Sequence, residues 1–196
     1  MKNIDQQLTR IIGDKWKEFV AGGLTAVSVR AITNNVEARA CREEVTLQLR
    51  RSVKNEPAEI FLSLSHTIRR LTGGVRDGLA VAIGYAASSA AVKAIGVDME
   101  YQSRNVHPSI LNRIAGAHER HAGLKVLEYW VAKEACFKAT PMNHGLLLSD
   151  YSVLGFDADK GVGQMSVEKN HAQLEFMLIY VSGLIVGLAI NNGIQR

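Results

Sequence analysis

Apolar residues recur at Ile4, Leu8, Ile11, Ile12, Trp16 and Phe19, a three-and-four spacing that predicts an amphipathic helix over 1–22, ended by Gly22-Gly23. LTAVSVRAI (24–32) alternates and is rich in β-branched residues, so it predicts a strand. Residues 36–53 are charged and helical, carry Arg39, Arg42, Arg50 and Arg51, and stop at or before Pro57. IFLSLSHT (60–67) predicts the next strand, IRRLTGGVRDG (68–78) a polar, basic, Gly-rich loop, and GLAVAIGYAA (78–87) a buried strand. AIGVDME (94–100) predicts another strand. A short helix starts at Pro108 or Ser109 and ends by Gly116, and a longer one covers about 122–139, before Pro141. YSVLGFD (151–157) and two C-terminal segments complete a second sheet.

Phe176–Ile190 is an uncharged apolar run of fifteen residues. A spanning helix needs ~20, and Ser182-Gly183 sits near the middle, so the run predicts two buried strands around a turn rather than a membrane segment. Strands and helices in this order give an α+β fold. Its two halves share a coarse pattern of strand, helix and paired strands.

Composition adds little to this but excludes several classes. The chain has 196 residues, 47% apolar and 21% charged, which is an ordinary globular composition for one domain or two small lobes. Cys41 and Cys136 lie far apart, which points to reduced thiols in a cytoplasm and away from a disulfide scaffold. The N-terminal residues scatter charges and lack the apolar core of a signal peptide. Charge is uneven: residues 1–97 hold 14 Lys/Arg against 9 Asp/Glu, and residues 98–196 hold 9 against 10. A basic front half suits an anionic ligand, although this much charge also serves solubility alone.

Three segments carry chemistry. In Gly96-Val97-Asp98-Met99-Glu100 the two acids are two apart on a strand and so share a face. Adjacent carboxylates repel unless a cation lies between them, and hard oxygen donors suit Mg²⁺. In Trp130-Val131-Ala132-Lys133-Glu134-Ala135-Cys136-Phe137-Lys138, Glu134 and Lys138 are i and i+4 on a helix that Trp130 and Phe137 would anchor. In Ser63-Leu64-Ser65-His66-Thr67 the hydroxyls alternate with Leu64 and His66, and a histidine at a strand exit can donate to phosphate. Singly, each segment also reads as an ordinary strand end, a surface Glu–Lys pair and a structural histidine.

Taken in order, Ser65-His66-Thr67, then Ile95-Gly96-Val97-Asp98 with Glu100, then W-x-x-K-E-A-x-x-K over 130–138 resembles the 4′-phosphopantetheinyl transferase superfamily, in its two-lobe, Sfp-type class. The resemblance implies a pseudo-duplicated α+β fold of two similar α/β lobes, 1–93 and 94–196, in a monomer. It covers 60–155, and more faintly 36–60. The usual G-(K/R)-P turn before the S-H strand is replaced by Asn55-Glu56-Pro57, and the stretch from His66 to Asp98 is longer.

What the resemblance implies about function is specific. The enzyme moves the phosphopantetheine arm of coenzyme A onto a serine of an apo acyl or peptidyl carrier protein and releases adenosine 3′,5′-bisphosphate. Asp98, Glu100 and Glu134 would hold Mg²⁺, with Mn²⁺ as a possible substitute. Glu119 or Glu134 would be the base, Glu119 being placed by its spacing after Arg113-Ile114. Lys138 would neutralise the leaving phosphate. Arg42, Ser65, His66, Lys133 and Lys138 would contact coenzyme A, with Arg42 on the 3′-phosphate. Neither nucleic acid nor membrane is an expected partner. Two other classes stay open at this point: a Mg²⁺-dependent nuclease, which would also use paired carboxylates and a lysine, and an inert carrier-binding module of the same fold.

Overall fold

The chain forms two units, Met1–Ala90 and Ala91–Arg196, in a computed structural model that describes residues 2–20, 23–53, 58–70, 76–87, 92–115, 119 and 123–193. In the first unit the i, i+4 stripe Leu8, Ile12, Trp16 and Val20 is buried, so α1 (Lys2–Phe19) packs by that face against β1 (Leu24–Ile32). Trp16 donates its indole N–H to the Gly84 carbonyl at 3.0 Å. Helix α2 (Asn35–Val53) covers a three-stranded antiparallel sheet made with β2 (Glu59–Arg70) and β3 (Arg76–Ala87), in the order β1-β3-β2. Between helix and sheet lie Ala38, Cys41, Val45 and Leu49 against Ala80, Ala82 and Ala86. The small strand residues let the helix come close: a Cβ on Gly84 would sit 2.6 Å from Leu49 Cδ1.

The second unit runs β4 (Ala94–Tyr101), α3 (Pro108–Ile114), α4 (Val126–Lys138), a 3₁₀ turn (Leu148–Asp150), then β5 (Tyr151–Asp157), β6 (Val162–Val167), β7 (Ala172–Val181) and β8 (Leu184–Asn191). The five strands are antiparallel in the order β4-β8-β7-β6-β5, and α4 lies across β4, β8 and β7. Ser182 and Gly183 both have positive φ, 50° and 76°, the signature of a two-residue hairpin loop matched to strand twist. The apolar run is therefore a hairpin, and among the described residues no helix is long and apolar enough to cross a membrane.

The units share a connection pattern. In each, a strand leads to a helix and then to a hairpin whose last strand pairs with the first: β1-α2-β2-β3 with β3 central, and β4-α4-β7-β8 with β8 beside β4. The β5–β6 hairpin is inserted between α4 and β7. In both, the helix rests on a glycine of that last strand, Gly84 under α2 and Gly187 under α4.

Three expectations are corrected. Residues 68–70 and 76–77 are strand rather than loop, because β2 and β3 stay in register out to Arg70 opposite Arg76; residues 71–75 lie outside the described residues. The long helix starts at Val126, not near 122, where Glu128 accepts the Lys125 amide at 2.7 Å and closes the first turn. Strand β6 was not expected: only Met165 and Val167 of VGQMSV are buried, too few apolar positions to signal a strand. Pro57 and Gly116 fall outside the described residues.

Candidate functional site

The site is built on β4 and α4 of the second unit. Gly96 is its floor. A Cβ there would collide with the Ala135 carbonyl oxygen and stand 2.8 Å from the Ala139 nitrogen, so only glycine lets the α4 backbone lie directly on β4. Gly187 does the same next door, where a Cβ would meet Val131 at 2.8 Å. This close seating brings the last turns of α4 within reach of the strand acids. Asp98 is 6% exposed, and Lys138 donates to its Oδ1 at 2.8 Å and to the Val97 carbonyl at 3.0 Å.

Trp130, Glu134 and Lys138 form one i, i+4, i+8 stripe along α4. Lys138 meets Asp98 at one end. At the other end Arg104, from the turn after β4, pairs with Glu100 and lies 5.3 Å over the Trp130 ring. Glu134 sits between. Burial and the Asp98 carboxylate push its carboxyl above the ordinary range and Glu100 adds to this, while Lys138 and Arg104 pull it back. Glu134 therefore feels the charge of both strand acids, Asp98 and Glu100.

These three carboxylates are hard oxygen donors of the kind that fits a divalent cation. Here Asp98 and Glu100 are held by Lys138 and Arg104. Among the described residues no group of three or more His, Cys, Asp or Glu side chains is gathered to ligating distance. Trp130 and Phe137 pack against the core as anchors, Phe137 with Tyr151 at 6.0 Å between ring centroids.

Lys133 and Glu119 lie elsewhere than the resemblance implies. Lys133 is completely buried and donates to the carbonyls of Ile114 and Tyr151 and to Glu119, the ion pair being 2.9 Å. Burial pulls its ammonium below the usual lysine range, with the Glu119 carboxylate opposing. Glu119 is 1% exposed; its other interactions include the Val153 amide at 2.7 Å, and the Tyr129 hydroxyl donates to its carbonyl. In this arrangement neither Lys133 nor Glu119 is open to a coenzyme or an incoming hydroxyl. The pair is a clamp joining α3, α4 and β5. A sequence signal for it exists: Tyr129, Lys133, Cys136 and Thr140 fall at i, i+4, i+7 and i+11, an inward stripe with one lysine in it.

In the first unit Ser65 is buried and His66 exposed, on opposite faces of β2. His66 is level with Ala80 of β3, whose carbonyl accepts from Cys41, the residue before Arg42. Glu44 leans toward β1, holding Ser28 at 2.7 Å and Arg30 at 3.0 Å. Arg42 is two residues and thus about 200° from Glu44 around α2, on the β2 side and at the His66 end. Both are exposed, so the structure brings Arg42 and His66 to one end of the unit and turns Ser65 away from it.

Residues 94–184 match the sequence model of the 4′-phosphopantetheinyl transferase superfamily. The matched span is slightly under half of the chain; it holds all of β4 through β7 with Asp98, Glu100, Glu119, Lys133, Glu134 and Lys138, whereas Arg42, Ser65 and His66 lie before it. A search of curated proteins with the whole chain found no match.

Proposed function

We propose that this chain is a 4′-phosphopantetheinyl transferase that carries the phosphopantetheine arm of coenzyme A to a carrier-protein serine. The observation that supports this best is the meeting of Asp98 and Glu100 on one strand face with Glu134 and Lys138 on α4, inside the span that matches the superfamily. In this reading Asp98, Glu100 and Glu134 would hold Mg²⁺, which would supply charge neutralisation at the pyrophosphate. The serine oxygen attacks the phosphorus that bears pantetheine, and the bond to the adenosine-side phosphate breaks, releasing adenosine 3′,5′-bisphosphate. Glu134 takes the serine proton, because Glu119 is engaged by Lys133 and the Val153 amide. Lys138 offers its ammonium to the departing phosphate, and Arg42 with His66 receives the 3′-phosphate.

The shared β-α-β-β pattern of the two units supports descent by duplication, as in the two-lobe, Sfp-type class, with the β5–β6 hairpin as an addition. The nuclease reading has less support, because Glu134 and Lys138 lie on helix α4 rather than on a strand beside Asp98. The partners in the proposed reaction are coenzyme A and an apo acyl or peptidyl carrier protein.

Incubation of apo carrier protein with coenzyme A, Mg²⁺ and the full chain is expected to add the mass of one phosphopantetheine group, and excess chelator to abolish the change. An unmodified carrier across fatty-acid, polyketide and peptide-synthetase types would overturn the assignment. Modification undiminished by chelator would overturn the metal alone.

A further inference from the structure

Arg104 stands in a place that the motif does not mark. It follows β4 on a turn, with its amide donating to the Tyr101 carbonyl at 2.9 Å. Its guanidinium has two partners at once: the Glu100 carboxylate, whose side chain is 12% exposed, and the face of Trp130 at 5.3 Å. Trp130 is one turn before Glu134 on the stripe that ends at Lys138. The site therefore holds three acids and two internal cations in one row, with Lys138 on Asp98, Arg104 on Glu100, and Glu134 between them feeling all four.

Such a row has a chemical consequence. A carboxylate oxygen committed to a guanidinium is not free for a metal ion, and the two cations meet the same electrostatic need that a divalent ion would meet. The two pairs differ in how easily they open. Lys138 is tied to the strand backbone through Val97 as well as to Asp98. Arg104 has a side chain 42% exposed, hangs from a turn, and keeps a cation–π partner when its carboxylate is taken away.

Resting on the metal-dependent reading above, we propose that Arg104 is a displaceable counterion of Glu100, which competes with a divalent cation for that carboxylate and parks over Trp130. It is a positioning residue that sets how tightly the site takes its metal. Removing it should therefore strengthen metal binding, whereas loss of a group that merely supports the fold would weaken it.

The test is calorimetric titration of the full chain with Mn²⁺ alone, with no coenzyme A present. Arg104→Met is expected to bind Mn²⁺ roughly tenfold more tightly than wild type, on the scale of a partly exposed ion pair with its cation–π contact. Glu100→Gln is expected to bind more weakly. Arg104→Lys, whose hydrated ammonium makes a poorer fork and stack, should fall between Arg104→Met and wild type, and serves if the methionine variant does not fold. Wild type that binds Mn²⁺ with an affinity that Arg104→Met and Arg104→Lys leave unchanged or weaken overturns the counterion role and leaves the metal reading standing. No Mn²⁺ binding by wild type or by either variant overturns both.

Discussion

Glu134 shows how one side chain can oppose folding and serve chemistry. Its carboxyl is raised above its ordinary 4.5, by burial first and by Asp98 second. Below about pH 4.5 the proton is bound in both folded and unfolded chains; above that the folded chain holds it more firmly. The favourable contribution of this group is therefore present at low pH and lost as pH rises through the folded-state value. At neutral pH Glu134→Gln removes a charge that the metal-free fold disfavours, so its melting temperature should rise by roughly 1–3 °C, with the gain vanishing near pH 4. Carrier modification by the same variant should fall at least about hundredfold, the scale of losing one transition-state stabiliser. Melts at both pH values, paired with the carrier mass assay, check the two halves; a lower melting temperature at neutral pH would mean that Lys138 and Arg104 outweigh the repulsion. The shared face of Asp98 and Glu100 was legible in the sequence because strand parity fixes it. Arg104 was not, because its turn carries no periodicity from which to read a direction.

At the scale of elements, α4 is fixed from two sides. Glycines 96 and 187 let its backbone touch the sheet, and the buried Lys133–Glu119 pair ties it to Ile114, Tyr151 and Val153. Removing one partner leaves the other charged and buried. Lys133→Met should cost about 3–5 kcal/mol, and Lys133→Met with Glu119→Gln distinctly less. Chemical denaturation of the two variants measures this, and equal losses would refute the clamp. Glu119→Gln should then reduce activity at every Mg²⁺ concentration through the position of α4. Adjacent residues on a helix differ by 100°, so in W-x-x-K-E only one of Lys133 and Glu134 can face the strand acids. The motif names both without saying which turns inward; the stripe of Tyr129, Lys133 and Cys136, visible in the sequence once its period is read and buried in the structure, resolves it. Strand β1 shows a related economy: its outer amides at Val29 and Ala31 donate to Thr9 and Asp5 of α1 at 3.1 Å, which closes that edge.

For the molecule as a whole, the positive excess lies in residues 1–97, where Arg42 and His66 share one end of the first unit. A polyanionic substrate should feel that excess at a distance, so the KM for coenzyme A should rise with salt. In Arg42→Ala it should start several-fold higher and climb less steeply, and the difference from wild type should shrink with dephospho-coenzyme A. An equal penalty with both substrates would remove Arg42 from the 3′-phosphate. The two cysteines fall one to each unit, Cys41 beneath α2 and Cys136 beneath α4. Both are fully buried, and burial pushes both thiols above their ordinary range, so neither is a ready nucleophile in the folded chain. Each sulfur becomes a private clock for the opening of its own unit. Alkylated briefly under native conditions and located by peptide mapping, the chain should mark Cys41 and Cys136 at separate rates, and Lys133→Met should quicken Cys136 while leaving the pace of Cys41 as it was.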